Sequence, residues 1–383
     1  MAKQTFTSGQ VLTASQMSTL QANDYNMSVT TGTASYTLQA SDKGTRRVQN
    51  MGSAGTVTIP NSTFDAGDAL WLHSIGSGVQ TISAGAGLTL NSSAGTAPTL
   101  AQWEGGVVYF TSASAAIFFR GGSKSTLDVE YLIVAGGGGG GKFQAGRGAG
   151  GGGGGGVVVG SGIIGKSTYT IKIGAGGSGV TDTARQTNSQ GSASGFLGSA
   201  MGGGGGGCDQ MNGNNGGSGG GGGGNGVGGA AVSGEGNSGG TGVSDTSGGG
   251  GGGSGSTGSF AVTSTGGAGG SGTTNAYDGV STVYGAGGGG AGSVTGGTGG
   301  TNAGNGGANT TAGTAASPAN RGAGGGGGTS GNGGNGSSGR VIVRWLTANA
   351  TGLSISVTGT TTNGTDGLYT WYSWTSTGTL VVA

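Results

Sequence analysis

The chain is poor in almost everything that chemistry usually draws on. Its 383 residues include one cysteine, one histidine and three prolines, and only 7% are charged. An ordinary soluble domain is about 25% charged. The net charge of +1 leaves no basic stripe of the kind nucleic acid or an acidic membrane requires. The single cysteine, Cys208, excludes an intrachain disulfide. The single histidine, His73, rules out a histidine metal cluster and gives a triad no second histidine to draw on. So few prolines exclude collagen. No run approaches the 18 apolar residues of a membrane span. The start, Met1 to Phe6, lacks the apolar stretch of a secretory signal. These absences predict a soluble protein made in a cytoplasm. They also predict no cofactor, metal, nucleotide or nucleic-acid partner.

What the chain has is glycine, at 107 residues. Apolar residues make up 31%, too few for one large conventional core, so part of the stability must come from elsewhere. The pattern divides the chain into four stretches. Residues 1–28 hold Thr13-Ala14-Ser15-Gln16, which reads as a capping box opening a short helix over Ala14–Asn23. At that length it needs a partner to be stable. Residues 29–124 carry short alternating segments such as Thr56-Val57-Thr58-Ile59, Ala69-Leu70-Trp71-Leu72 and Ala116-Ile117-Phe118-Phe119. Turn residues separate them at intervals of about ten, which predicts a small β-sandwich or barrel. Residues 125–346 hold most of the glycine, including the unbroken runs Gly136–Gly141, Gly150–Gly156 and Gly202–Gly207. Residues 347–383 return to β patterning.

The glycine region reads as folded rather than as a linker. Two strongly apolar segments bracket it, Val129–Ala135 and Arg340–Trp345, and exposed strands of that kind would aggregate. The expected architecture is a bundle of extended polyglycine-II helices. That conformation rises about 3.1 Å per residue and makes no internal hydrogen bonds, so every N–H and C=O must find a neighbouring segment. The predicted fold class is therefore mainly β, with four parts: a short N-terminal helix, a β-sandwich module, a bracketed polyglycine-II bundle and a C-terminal β segment.

Several stretches carry a resemblance. Tyr36–Leu38, Thr56–Pro60, Gly85–Asn91 and Ile117–Phe119 resemble a module common in bacteriophage tail fibres. Val129–Gly141, Thr168–Gly177, Ser194–Ser199 and Gly339–Trp345 are similar to the glycine-rich domain of phage tail fibres and adhesins. Phe6–Ala14 resembles the start of phage minor tail proteins. The resemblance implies a polyglycine-II sandwich whose inter-segment loops touch the host surface. In that family a Tyr-, Phe- and Leu-containing strand precedes the Val-Glu-Tyr strand. Here its pattern falls at Tyr369–Val382, so that segment is expected to complete a sheet by permutation, in its own chain or in a neighbour.

Motifs that look chemical are weak. Gly160–Ser167 matches a P-loop letter for letter, but an alternating β segment follows where a helix must stand. Asp65, Asp68 and Glu104 could form a glycosidase-like pair. The better candidates are places where long side chains interrupt glycine, because loops on a rigid scaffold are where binding concentrates. These are Lys142, Phe143, Gln144 and Arg147; Arg185; Asp209, Gln210 and Met211; Tyr277 and Asp278; and Arg321. The C-terminal aromatics Trp371 and Trp374 are a second kind, expected to fall on opposite faces of one strand.

The reading is a non-enzymatic virion protein of a phage tail fibre or tip. It is expected to be homotrimeric, to join other tail proteins through its N-terminal segment, and to bind a bacterial surface glycan or protein receptor. A surface-polysaccharide depolymerase and a purely structural tail spacer are the alternatives. An ice-binding protein would need a regular threonine face.

Overall fold

Alternation in the first part of the chain becomes short strands wound in coils. The computed structural model describes residues 13, 27–92, 97–121, 126–143, 147–181, 189–350 and 352–383. It contains two units, Met1–Ser125 and Thr126–Ala383. In the first unit the order is β1 (Val29–Gly32), β2 (Tyr36–Thr37), a 3-10 turn at Ala40–Asp42, β3 (Arg46–Gln49), β4 (Gly55–Ile59), β5 (Ala69–Ser74), β6 (Gln80–Ala84), β7 (Thr89–Ser92), β8 (Thr99–Leu100), β9 (Gly105–Ser112) and β10 (Ala115–Gly121). β1, β3 and β5 pair in parallel, and so do β2, β4 and β6. Successive strands thus alternate between two sheets, and each coil adds one rung to both. This is a β-solenoid. β9 and β10 pair antiparallel beyond β5. Leu38, Val57, Ile59, Leu70, Leu72, Ile82, Val108 and Phe110 fill the interior, with the Phe64 and Phe110 rings stacked at 4.4 Å.

In the second unit, β11 (Thr126–Val134), β12 (Val157–Gly165) and β13 (Ser167–Ile171) precede two hairpins. One hairpin is β14 (Ser194–Phe196) with β15 (Gly198–Ala200), and the other is β16 (Thr273–Asn275) with β17 (Thr282–Tyr284). Next come β18 (Arg340–Leu346), a 3-10 turn, β19 (Ile355–Thr358), β20 (Thr361–Asp366), β21 (Tyr369–Trp374) and β22 (Gly378–Val382). One sheet runs β12-β11-β18-β21-β20 and another β13-β22-β19. Between them Leu127, Val129, Ile133, Val341, Val343, Trp345 and Trp374 meet Ile171, Leu380 and Val382. The C-terminal segment pairs within its own chain: β21 lies on β18, and β22 lies between β13 and β19.

The glycine segments leave this sandwich and return to it. Gly136–Gly141 continues out of β11, and Gly150–Gly156 leads back into β12. Their hydrogen bonds all run to other segments. Gly136, Gly137 and Gly138 donate to Ser192, Ser337 and Gly153 at 3.0, 2.9 and 2.8 Å. Gly139, Gly140 and Gly141 then donate to Ser189, Gly334 and Gly150, so every third residue addresses the same neighbour. Glycine is needed because the neighbours touch the Cα directly. A methyl on Gly152 would fall on the Gly138 carbonyl, 2.6 Å from its carbon.

Three expectations are corrected or placed. The β-sandwich module is a β-solenoid, because the pairing that builds it is parallel and long-range, which alternation within one strand does not report. The helix bundle is also corrected. Among the described residues there is no α-helix, only two short 3-10 turns, and the glycine runs are extended chain. Glycine loses the most freedom on ordering of any kind, and the hydrogen bonds from these extended runs to neighbouring segments offset that cost. The helix expected over Ala14–Asn23 lies outside the described residues.

Candidate functional site

The up-and-down course of the glycine segments gives the second unit two ends. At the end away from the sandwich, Lys142 follows Gly141 and Cys208 follows Gly207. The Lys142 N–H donates to Cys208 Sγ at 3.4 Å, which joins the two tips. The Lys142 ammonium donates to Thr181 O at 2.7 Å and Asn332 Oδ1 at 3.0 Å. Asp245 is the hub beside them. Its Oδ1 accepts from Gln210 Nε2 and Asn225 Nδ2, both at 2.9 Å. Its Oδ2 lies 3.8 Å from the Arg147 guanidinium, which sits 5.5 Å from the Phe143 ring centre. Asp209, Ser244 and Asp245 adopt left-handed φ values of 52°, 53° and 55°, a conformation that short polar side chains tolerate. Asp209, Gln210 and Met211 stand exposed.

Lys142, Phe143, Arg147, Asp209, Gln210 and Met211, distant in sequence, therefore share one end. Phe143 is only 5% exposed. It packs beneath the tips, so as a direct contact residue it is corrected. Gln144 and Arg185 lie outside the described residues. Asp245, Asn225 and Asn332 were missed. Their signal was present, since Val243-Ser244-Asp245-Thr246-Ser247 interrupts glycine as clearly as Cys208–Asn212 does.

Tyr277, Asp278, Arg321, Trp371 and Trp374 lie at the sandwich end. The turn between β16 and β17 folds over the outer face of the five-stranded sheet, where Tyr284 packs on Leu132, Val134 and Ile342. The Arg344 guanidinium is held between the Tyr277 and Tyr369 rings, 3.8 and 4.2 Å from their centres. Its Nε donates to Glu130 Oε2 at 2.7 Å. Burial, then the Glu130 charge, pushes the Tyr277 hydroxyl above its ordinary pKa. Burial does the same for Tyr284. Arg321 lies 5.6 Å over the Tyr284 ring. Asp278 is buried in an ion pair with Arg340 at 3.0 Å, and Trp374 is fully buried with its indole N–H donating to Thr358 O at 3.0 Å. Both are corrected from contact residues to framework. Trp371 stays half-buried on the opposite face.

The other chemical motifs resolve as structure. The P-loop match spans β12 and the start of β13, which are strands. Asp68 pairs with Lys43 at 2.6 Å, and Glu104 pairs with Arg120. They sit at opposite ends of the β5–β9 ladder, so the carboxylate pair expected of a depolymerase is not assembled from them.

The glycine-rich domain family matches residues 111–346. Neither a curated protein nor a solved structure matches the chain. The matched stretch contains the bracketing strands β11 and β18 and every glycine segment between them, and the chain belongs to the glycine-rich domain family.

Proposed function

We propose that this chain is a non-enzymatic virion protein of a bacteriophage tail fibre or tail tip, and that it attaches to the host surface through the far-end loops of its glycine-rich unit. The observation that carries this reading is the gathering of Lys142, Arg147, Asp209, Gln210 and Met211 on one end of a backbone-locked stack. A rigid scaffold with polar, cationic and apolar tips suits recognition at low ordering cost. Family membership, and the resemblance of Phe6–Ala14 and of the segments from Tyr36 to Phe119 to tail proteins, support the setting. In this reading the N-terminal segment joins other tail proteins, the chain trimerises, and many weak copies give avidity. The receptor is a bacterial surface glycan or protein.

The test has two arms. Antibody against this chain, imaged on purified virions by cryo-electron microscopy, should label the fibres or the distal tip. Virions carrying Gln210→Ala and Met211→Ala together should adsorb about tenfold more slowly, with the melting of the purified protein unchanged. Particles without label sink the virion assignment. Labelled particles whose adsorption ignores the tip variants sink the attachment role and leave a spacer.

A further inference from the structure

Strand register lays out the outer face of the five-stranded sheet as a grid. One row reads Ile163, Asp128, Leu346, Tyr369, Asp366, because Asp128 is opposite Ile163 and Tyr369 is opposite both Leu346 and Asp366. The next row reads Ser161, Glu130, Arg344, Trp371, Gly364. The β16–β17 turn covers the rows beyond, around Leu132 and Ile342. Tyr277 of that turn also covers Arg344 in the second row. The part left open, from Ile163 to Tyr369 in the first row with Ser161 and Glu130 in the second, borders a cavity of about 280 Å³, with Asp128, Glu130, Ser161, Ile163, Asn349 and Tyr369 in its lining.

We propose that this cavity binds a single hexopyranose unit that carries no acidic group. A pyranose has an apolar C–H face and a rim of hydroxyls. The cavity offers both complements. Ile163, 71% exposed, and Leu346, 38% exposed, supply apolar wall. Tyr369 supplies an aromatic surface already immobilised by Arg344 on one side, so little ordering is left for binding. The Asp128 carboxylate is exposed and forms no ion pair or hydrogen bond among the described residues. An ionised carboxylate only accepts, and adjacent sugar hydroxyls are its natural donors. The volume lies near the lower end of the range for ligand sites, which suits one ring. Asp128 and Glu130 line the cavity and Arg344 pairs with only one of them, so a uronic acid or phosphorylated sugar is repelled. Asp128 and Glu130 are two apart on β11, and that alternation puts both carboxylates on the sheet face opposite Val129 and Tyr131.

The proposal stands apart from the attachment reading, because the cavity is at the other end of the unit from the loop tips. Its test uses the intact chain and ligand-observed NMR with methyl glycosides of neutral hexoses, N-acetylhexosamines and a hexuronic acid. Saturation transfer is expected to the neutral or N-acetylated glycosides at millimolar concentration and not to the uronate. Asp128→Ala should weaken it about tenfold. Ser161→Trp, an exposed position whose new ring would fill the cavity, should abolish it, with the thermal transition unchanged in both variants. No transfer to any neutral glycoside at about 10 mM, equal transfer to the uronate, or transfer indifferent to both variants would each overturn the assignment.

Discussion

The solenoid of the first unit and the glycine segments of the second reach stability by opposite means. In the solenoid, side chains from two mixed sheets, parallel through their first three strands, fill the interior and the strands bond sideways to one another. Among the glycine segments the buried side chains are few and mostly small, such as Ala149, Ser218 and Ala291. The Gly136–Gly141 run donates to three neighbours in rotation and accepts from three others. A net hydrogen bond contributes only about 0.5–1.5 kcal/mol, and glycine is the residue that loses most freedom on ordering. Such a stack holds only if nearly every donor is used and every neighbour is close. A core of side chains tolerates local loss, whereas a core of backbone has no slack.

The sharpest way to break that comparison is to add one methyl group to each unit. Gly152 sits where the new Cβ would strike the Gly138 carbonyl. Because the obstacle is backbone, it has no rotamer to move into. Gly152→Ala should destabilise the second unit by about 3 kcal/mol or more, at or above the usual range for overpacking. Gly52, on a bend in the first unit, has nothing within 4 Å of the place a methyl would take, and no positive φ. Gly52→Ala should stay within about 0.5 kcal/mol. Urea denaturation of the full chain, followed by tryptophan fluorescence and circular dichroism, would measure both. A Gly152→Ala protein that melts like the parent would show that the stack can breathe, and would end the contrast.

Removing atoms should give the converse result. Leu72 is fully buried in the solenoid interior, and Leu72→Ala should cost about 2–5 kcal/mol. The loss should be confined to the transition of the first unit, leaving the transition of the second where it was. A shift of both transitions together would mean that the units melt as one and would require their energetics to be treated jointly.

Legibility in the sequence followed the same division. Local signals survived. Most strands of the solenoid were visible as alternating segments, and Tyr369–Val382 was visible as a sheet element although its place in the chain is unusual. Pairing was not visible. Tyr36, Val57 and Ile82 stack in successive coils at unequal intervals, so no repeat marks the solenoid, and the charged strand Arg46–Gln49, with Val48 as its one apolar residue, gave no alternating signal. Of the candidate contacts, those at loop tips could be found because any long side chain stands out against glycine. What could not be read was depth: Phe143 and Asp278 look like tips in the sequence and are tucked beneath them. Trp371 and Trp374 fall on opposite faces by simple alternation, but only the structure tells which face is core. Asp128 and Glu130 were not singled out in the sequence, because only the neighbouring strands bring Ile163, Leu346 and Tyr369 beside them.

The smallest expected effect separates the units by pH. His73 belongs to the first unit and is the only histidine in the chain. It is half-buried on β5, and its Nε2 is buried without a hydrogen-bond partner among the described residues. Burial first, and the Arg46 charge second, hold its pKa below the ordinary value. The folded protein therefore favours the neutral ring. The corresponding stability is present above the unfolded value of about 6.5 and is lost as pH falls through the lower folded value. The first unit should melt lower at pH 5 than at pH 7.5. The second unit, with no histidine, should hardly move over the same interval. His73→Gln should flatten the dependence of the first unit. The Asp68 carboxylate, held below its ordinary pKa against its own burial by Lys43 and the Asp65 N–H, stays ionised across this interval and adds no slope to it, so a slope that persisted in that variant would overturn the histidine assignment.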